Sequence, residues 1–458
     1  MRNGKPAVAG SQTLAESVAA AGHGASPGRR IGLAAVTGVA AKGLALAAQL
    51  LAVAIAVRAL GSDGFALFVV ISSIVAWMGL AGLGVAPGLT LGVARAVAVG
   101  DRTEAARLFM VALALMVVVA TLLVGFALLL GAGGLVDRLL ATWLGSASGD
   151  ASAAFLWMTV LIAVQLVVVV PEAAQLGVQA QHVNNIWVGI GSAAAIVAML
   201  TIGSAVTSVT AFVLVSQGPQ VASRVANGVI FVLGRRYLLR RTDLRFWQHV
   251  RPILASGIGF AGFSLASYVG LQVGLLIIAS SADAASVALA GVIVRGYLLE
   301  ASGLALVTTP TWPAIANALT RGDFSWIRRA YRALALGAFA YAGLAAVAIL
   351  VGLEALIGIW TGTRPDDNPA LRALFAVLVL VNGWAHVNAM TLVGLGAIRF
   401  TALVLLAEAV FVLVLQVAVV PVLGVTGYVG ALAAGAVAVS GWILPLRVRR
   451  ELLKSGGG

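Results

Sequence analysis

The sequence predicts an all-α polytopic membrane protein of about twelve transmembrane helices in two pseudo-symmetric six-helix lobes, with both termini cytoplasmic. Three observations carry this expectation. Of the 458 residues, 61% are hydrophobic and only 10% charged, against about 25% charged in an average soluble domain. The apolar runs repeatedly reach the roughly 20 residues that a helix needs to cross a bilayer. Near the middle, Arg235 to Arg251 gathers six arginines against one acid, Asp243, between two otherwise apolar halves.

The remaining composition excludes other classes. A net charge of +13 raises the question of a nucleic-acid partner, but the charges sit at helix ends, where basic residues orient membrane proteins. No nucleic-acid partner is therefore expected. The absence of cysteine excludes disulfides and thiolate metal sites, and no cofactor or metal site is read. The first apolar run is too long for a cleavable signal and lacks a small-residue cleavage site.

Taken in order, residues 1–30 are rich in Ala, Gly and Ser and read as a disordered cytoplasmic N-terminus, with Arg29 and Arg30 anchoring the first span. The first lobe (31–234) contains spans near 33–57, 65–83, 108–130, 155–175, 186–202 and 209–233. The basic connector (235–251) follows. The second lobe (252–447) contains spans near 253–280, 287–312, 333–356, 371–395, 401–420 and 427–446, and a cytoplasmic tail closes the chain at 448–458. With both termini inside, the cytoplasmic loops collect 22 of the 29 basic residues, while the outer loops hold Arg58, Arg138 and Arg364. The halves also resemble each other. Ala94–Asp101 recurs as Ala316–Asp323, Asp63 as Asp283, and Gly177–His182 as Gly394–Arg399, at offsets of 222, 220 and 217 residues. Six spans per repeat relate the halves by an axis along the membrane normal, and transporters built this way hold substrate between the repeats.

Chemistry is sought among charged residues inside the spans: Lys42, Glu172, Arg224, Arg295, Glu300 and Glu408. Each costs roughly 2.5–3.5 kcal/mol at the bilayer centre, so lipid-facing positions are unfavourable. Gln217, Gln220, Arg224 and Asn227 share one face of the sixth span, and Gln165, Glu172, Gln175 and Gln179 one face of the fourth. Arg295, Ser302 and Thr309 recur at seven-residue steps, as do Lys42 and Gln49; Ser264, Tyr268 and Gln272 recur at four. Such polar stripes read as walls of a hydrated lumen. Lys42, Arg224, Arg295, Gln217, Gln220, Asn227, Gln49 and Gln272 are the candidate substrate-binding residues, and Glu172, Glu300 and Glu408 the candidate ion-coupling carboxyls.

Each assignment has a plainer alternative. Lys42 can snorkel to the interface. Arg224 can be the buried partner of Glu172, with the Gln stripe as helix–helix glue. Glu300 is not on the face of Arg295 and is a poor local partner. Glu172 and Glu408 read equally as ion-pair members or proton carriers. His386 with Asn382 reads as an interhelical hydrogen bond. Pro171, Pro219 and Pro310 are expected to kink their helices, and the stretch from Phe324 to Leu334 reads as an interfacial amphipathic segment. No HExxH, P-loop, paired-carboxylate or nucleophile-elbow pattern is present. The longest outer loop, near 131–153, is short for a membrane polymerase or ligase, so no enzyme is expected.

The stretch Thr309-Pro-Thr-Trp-Pro-Ala-Ile-Ala-Asn-Ala-Leu-Thr-Arg-Gly-Asp-Phe-Ser-Trp-Ile-Arg-Arg329 resembles a segment of the polysaccharide transporter family. These are O-antigen and exopolysaccharide flippases of the multidrug/oligosaccharidyl-lipid/polysaccharide exporter superfamily. Leu80–Leu89 with Gly100-Asp101, Leu60-Gly61 before Phe65, and Val422–Gly427 are similar to further parts of the family pattern. The sequence departs at Asn317, where the family often has an acid, and at Asp63-Gly64-Phe65, where an aromatic often precedes the glycine. The resemblance implies a V-shaped two-lobed transporter in the bacterial inner membrane. Its substrate would be an undecaprenyl-pyrophosphate-linked oligosaccharide, its surroundings membrane lipids, and its pathway partners glycosyltransferases and a polysaccharide polymerase. Arg and Lys bind phosphate oxygens well, so Lys42, Arg224 and Arg295 suit a pyrophosphate. The alternative within the superfamily is a cation or drug antiporter, which would want acidic walls. A fourteen-span peptidoglycan-precursor flippase fits the span count less well, and the major-facilitator loop motif is missing.

Overall fold

A computed structural model describes residues 27–82, 84–144, 150–240 and 246–454. Among them the regular structure is entirely helical. The first half contains α1 (Pro27–Gly79), α2 (Val85–Ala98), α3 (Arg102–Ala132), a short α4 (Leu135–Leu144), α5 (Ala151–Gly177), α6 (Gln181–Ile202) and α7 (Val209–Leu233). The second contains α8 (Phe246–Tyr268), α9 (Gly274–Ser281), α10 (Ala284–Thr320), α11 (Phe324–Thr361), α12 (Pro369–Gly394), α13 (Ile398–Gly435) and α14 (Gly441–Lys454). Helices satisfy every backbone group internally, as a hydrocarbon environment demands.

Eight helical stretches are long and apolar enough to cross a membrane, and two of these, Val36–Ala98 and Ile398–Leu453, each contain two arms. The arms part at Gly61 (φ 69°) and Gly424 (φ 54°), a left-handed conformation that glycine adopts without steric cost. At Gly424 the chain turns back on itself. A Cβ on Gly427 would lie 2.8 Å from the carbonyl oxygen of Val419, residues that a straight helix would hold about 12 Å apart. With α7, and with α8 and α9 joined through the π-helical turn Val269–Val273, the described residues make up the twelve expected segments.

Several boundaries differ from the sequence reading. The second span does not end at 83, because α2 resumes after the 3-10 turn Leu80–Gly82 and runs to Ala98. The last residues of the basic connector are helical, since α8 begins at Phe246. The stretch from Phe324 to Leu334, expected to be an interfacial amphipathic segment, is the first part of α11. Asp323 caps it by accepting from the Trp326 amide (3.0 Å), and Ile327 is buried beside Ile315 and Leu452. The tail is likewise helical to Lys454, with Val448 and Leu452 in the same core. The outer loop folds into α4, which buries Val136 and Leu140. Of the expected disordered N-terminus, residues 1–26 lie outside the described residues, and α1 already starts at Pro27. Helix continues through Pro171, Pro219 and Pro310; the helix-internal departures fall at Gly61, Gly352 and Gly424.

The internal repeat is visible in atomic detail. Gly100 (φ 74°) and Gly322 (φ 70°) occupy equivalent turns, each followed by an aspartate N-cap: Asp101 accepts from the Glu104 amide at 2.8 Å, Asp323 from Trp326 at 3.0 Å. The Trp326 amide and the Ser325 hydroxyl hold Asp323 below the ordinary carboxylate range. The cap is therefore ionised at neutral pH, and its stabilisation is lost only as pH falls through that lowered value. A Cβ on Gly177 would meet Thr90 O and Val93, and one on Gly394 would meet Trp312 O and Ile315. Those neighbours are themselves 222 residues apart.

In the first half α1 packs on α6, α3 and α7 on α5, and α6 on α7; in the second α12 packs on α10, α11 and α13, and α8 and α9 on α13. Contacts between the halves run through α1 with α10 and α2 with α8. At one end the Arg58 Nε donates to Thr361 O (3.1 Å) and the Trp360 indole to Leu50 O (2.8 Å). A Cβ on Gly88 of α2 would stand 2.0 Å from Ile253 O of α8, whereas one on Gly125 meets nothing within 4 Å. Gly88→Ala is therefore expected to destabilise by about 1–3 kcal/mol through overpacking. Gly125→Ala is expected to be neutral or slightly stabilising through helix propensity. Thermal unfolding of the purified variants in detergent checks the contrast.

Candidate functional site

A cavity of 380 Å³ is walled by α1, α5 and α7 of the first half, with Arg295 of α10 reaching in from the second. It is the polar space the sequence stripes pointed to, and it holds five of the eight candidate substrate-binding residues: Gln49, Gln217, Gln220, Arg224 and Arg295. Gln165 also lines it.

Arg295 comes from α10, but its surroundings come from the second arm of α1. Its guanidinium carbon lies 5.4 Å from the centre of the Phe65 ring and 4.9 Å from that of Phe68. Phe65 is fully buried, and Phe68 is braced edge-on by Phe212 at 5.3 Å. Among the described residues, Arg295 forms no ion pair. Cation–π contact holds it instead, each face contributing about 0.5–2 kcal/mol depending on desolvation. Elsewhere the protein does neutralise buried charge. Glu354, which the sequence reading passed over, meets Arg372 at 3.6 Å, and Arg372 also reaches Asp367 at 2.8 Å.

Arg224 differs from Arg295. Its Nε stands 3.8 Å from Glu172 Oε1, the side chains being 35% and 14% exposed. Glu172 Oε1 lacks a hydrogen-bond donor, so the pair is a long-range ionic contact. Gln220 Nε2 donates to Ser216 O at 2.9 Å, leaving its carbonyl oxygen available to the cavity.

Lys42 does not line the cavity. It is exposed and lies two turns before Gln49 on the stripe of α1 that faces it. Asn227 is set apart: it is buried, exchanges hydrogen bonds with Gln175 at 2.7 and 3.1 Å, and donates to Asn184 at 3.1 Å. The expected lumen stripe of α7 therefore divides. Its first residues face the cavity, while Asn227 joins α5 and α6 as interhelical glue, because α6 covers that end. The stripe of α5 divides the same way: Gln165 in the cavity, Glu172 on Arg224, Gln175 in the buried cluster, Gln179 in the following turn at φ 60°. Gln272 sits half-buried in the π turn, away from the cavity. That turn's carbonyls at Gly270 and Leu271 are satisfied by Gln416 and Tyr428, each at 2.9 Å.

The other two carboxyls lie deep in the second half. Glu300 is buried, with neither oxygen completing a hydrogen bond, and Glu408 Oε2 is likewise without one. Around them, the Tyr297 hydroxyl donates to Asn382 (2.8 Å) and Thr308 meets His386 (2.9 Å), the latter an interhelical contact of the expected kind. Ser264 and Thr309 have side chains outside the described set. No group of three His, Asp or Glu suited to a metal occurs among the described residues.

The same architecture occurs in solved transporters. An inward-facing multidrug resistance MATE family transporter of the MOP superfamily superposes with a TM-score of 0.71 at 15% identity, over 90% of this chain and 96% of that one. An outward-facing structure of such a transporter gives 0.64 at 14%, over 94% and 97%. A MOP superfamily transporter from Pyrococcus furiosus, for which reverse polarity of the binding pocket suggests a different function, gives 0.66 at 13%, over 95% and 98%. No family model and no curated protein sequence matches the chain. At these identities the likeness is one of fold. The chain is a multi-pass helical membrane protein with the fold of MOP superfamily transporters.

Glu172 and Arg224 are expected to be coupled energetically. A cycle of Glu172→Gln, Arg224→Gln and the double variant should give an interaction of about 0.5–3 kcal/mol, read from detergent unfolding. Strict additivity would show that the two charges act independently.

Proposed function

We propose that the protein is a lipid-linked oligosaccharide flippase of the bacterial inner membrane. It moves undecaprenyl-pyrophosphate-linked glycan units from the inner to the outer leaflet for O-antigen or exopolysaccharide biosynthesis, by alternating access between two six-helix lobes. The observation that carries the reading is Arg295, a cavity-lining guanidinium that rests on two phenylalanine faces and has no carboxylate partner among the described residues. A guanidinium so placed keeps its forked donors free for phosphate oxygens. Arg224, already near Glu172, adds a second positive group, and Lys42 extends the same stripe of α1 towards the connector end. Gln49, Gln165 and Gln217 supply amides that replace water on sugar hydroxyls. Glycosyltransferases would supply this substrate and a polysaccharide polymerase would consume it. Of the three carboxyls, Glu300 is the best placed to carry a coupling proton, because Glu172 already faces Arg224.

The second reading is a cation or drug antiporter. It is favoured by the MATE transporters that share the fold and by Glu300 and Glu408, which form no ion pair among the described residues. The two readings separate on the sign of the cargo. In proteoliposomes, Lys42→Gln, Arg224→Gln and Arg295→Gln together are expected to slow translocation of undecaprenyl-pyrophosphate-linked oligosaccharide at least about tenfold, the equivalent of 1.4 kcal/mol. Cationic-dye movement should be absent in the parent protein. Undiminished glycolipid translocation by the inserted triple variant refutes the cationic lumen. Dye efflux abolished by Glu300→Gln favours the antiporter.

A further inference from the structure

The cavity that holds Gln49 and Arg295 stops short at one end. Along α1 its wall runs from Ala45 to Val53, about 12 Å. One turn further on, Val57 is buried in the same apolar cluster as Leu353 and Ile357 of α11. That end carries Arg58 and Arg364, which the charge pattern assigns to the outer loops.

Trp360 and Arg58 bridge the halves just beyond it, and both contacts fall on the last turn of α11. The Trp360 indole donates to Leu50 O (2.8 Å), and Arg58 Nε donates to Thr361 O (3.1 Å). The first contact joins the backbones beside two cavity residues. Leu50 follows Gln49, and a Cβ on Gly296, which follows Arg295, would lie 3.9 Å from the Trp360 ring. One indole thus ties α1 to α10 and α11 at the head of the cavity.

The second contact is a helix C-terminus receiving a cation. The last carbonyls of a helix lack intrahelical donors and sit at the negative end of its dipole. Thr361 is fully buried, and Arg58 supplies the donor that its carbonyl needs. Gly362 lets the guanidinium approach. It ends α11 in the left-handed region at φ 82°, and a Cβ there would stand 3.0 Å from Arg58 Nε. The Thr361 and Thr363 hydroxyls, 2.9 Å apart, fix the turn. Parting the halves widely would give Thr361 O and Arg58 to water together, whereas a narrow dry gap would satisfy neither. Such a contact favours two positions, shut and open, over a continuous slide.

We infer that Arg58 and Trp360 form a latch that holds this end of the cavity shut, and that cargo leaves there only after both have let go. Either cargo, anionic glycolipid or cationic drug, needs such an exit, so the latch stands or falls apart from the choice between them.

The chain contains no cysteine, so one introduced thiol reports without background. Ala52→Cys places it in the cavity wall. In a parallel sample, Asp366→Cys, in the exposed turn after α11, marks the face that carries the latch. A membrane-impermeant maleimide is added to each face of reconstituted vesicles in turn. With Arg58→Gln and Trp360→Phe together, labelling of the cavity thiol from the latch face is expected to quicken at least about tenfold, which is 1.4 kcal/mol removed from the shut state, because the rate follows the open fraction. Labelling from the opposite face should not quicken. Trp360→Phe alone keeps a ring against Gly296 and loses only the donated hydrogen. It should give a smaller rise in the same direction, and it serves if the double variant fails to insert. An unchanged rate from the latch face overturns the latch. So does an equal rise from both faces, the behaviour of a bundle that has merely loosened.

Discussion

An arginine placed inside an apolar bundle has to be solvated by something. Here Arg295 receives two aromatic faces and open space instead of a carboxylate. Burial in mid-membrane costs roughly 2.5–3.5 kcal/mol on the insertion scale, and two ring faces return about 1–4 kcal/mol between them. The two magnitudes are of the same order, so the resting protein tolerates the cation without consuming its hydrogen-bonding capacity. A carboxylate partner, such as Glu354 is for Arg372, would have occupied the forked donors and left the site less able to take an anion. The remainder of the cavity follows from this choice. Its walls mix glutamine amides with Ala, Val and Phe68, and Glu172 is drawn to Arg224 at 3.8 Å.

The location of that contact matters as much as its strength. Arg295 belongs to α10 in the second half, and Phe65 and Phe68 to α1 in the first. The same pair of helices packs closely enough that a Cβ on Gly291 would stand 2.4 Å from Val69. An anion drawing Arg295 away from the rings acts across the boundary between the halves. The hydrogen bonds from Arg58 to Thr361 and from Trp360 to Leu50 cross the same boundary. Arg295 and Phe68 thus belong both to the cavity wall and to the junction between the halves.

The fold was largely legible in the sequence because its determinants are local. Apolar runs of bilayer length gave the segments, and the Gly100-Asp101 and Gly322-Asp323 pairs marked equivalent turns that recur with equivalent caps. Boundaries failed where apolar character and helix part company. The charged turns of α8 and α11 are helical because Asp323 caps one and α2 supports the other, neither of which hydropathy registers. The site was half legible. Period-seven polar residues found Gln49, Arg224 and Arg295, but which part of a stripe faces the cavity depends on what covers it. Asn227 continues the face of Arg224, yet Asn184 from α6 and Gln175 from α5 enclose it. Phe65, noted only within the family pattern, and Phe68 gave no signal of an arginine contact, since aromatic residues in an apolar run look like ordinary core.

The account turns on an unneutralised cation that receives an anionic headgroup, and ligand-induced stabilisation measures this without any transport assay. A ligand that binds the native state raises its unfolding temperature by mass action. Inorganic pyrophosphate titrated into the detergent-solubilised protein is expected to raise Tm in a saturable manner. The rise should be lost in Arg295→Met, whose thioether can still rest against the two rings. No shift in the parent protein, or an equal shift in Arg295→Met, would contradict the central claim.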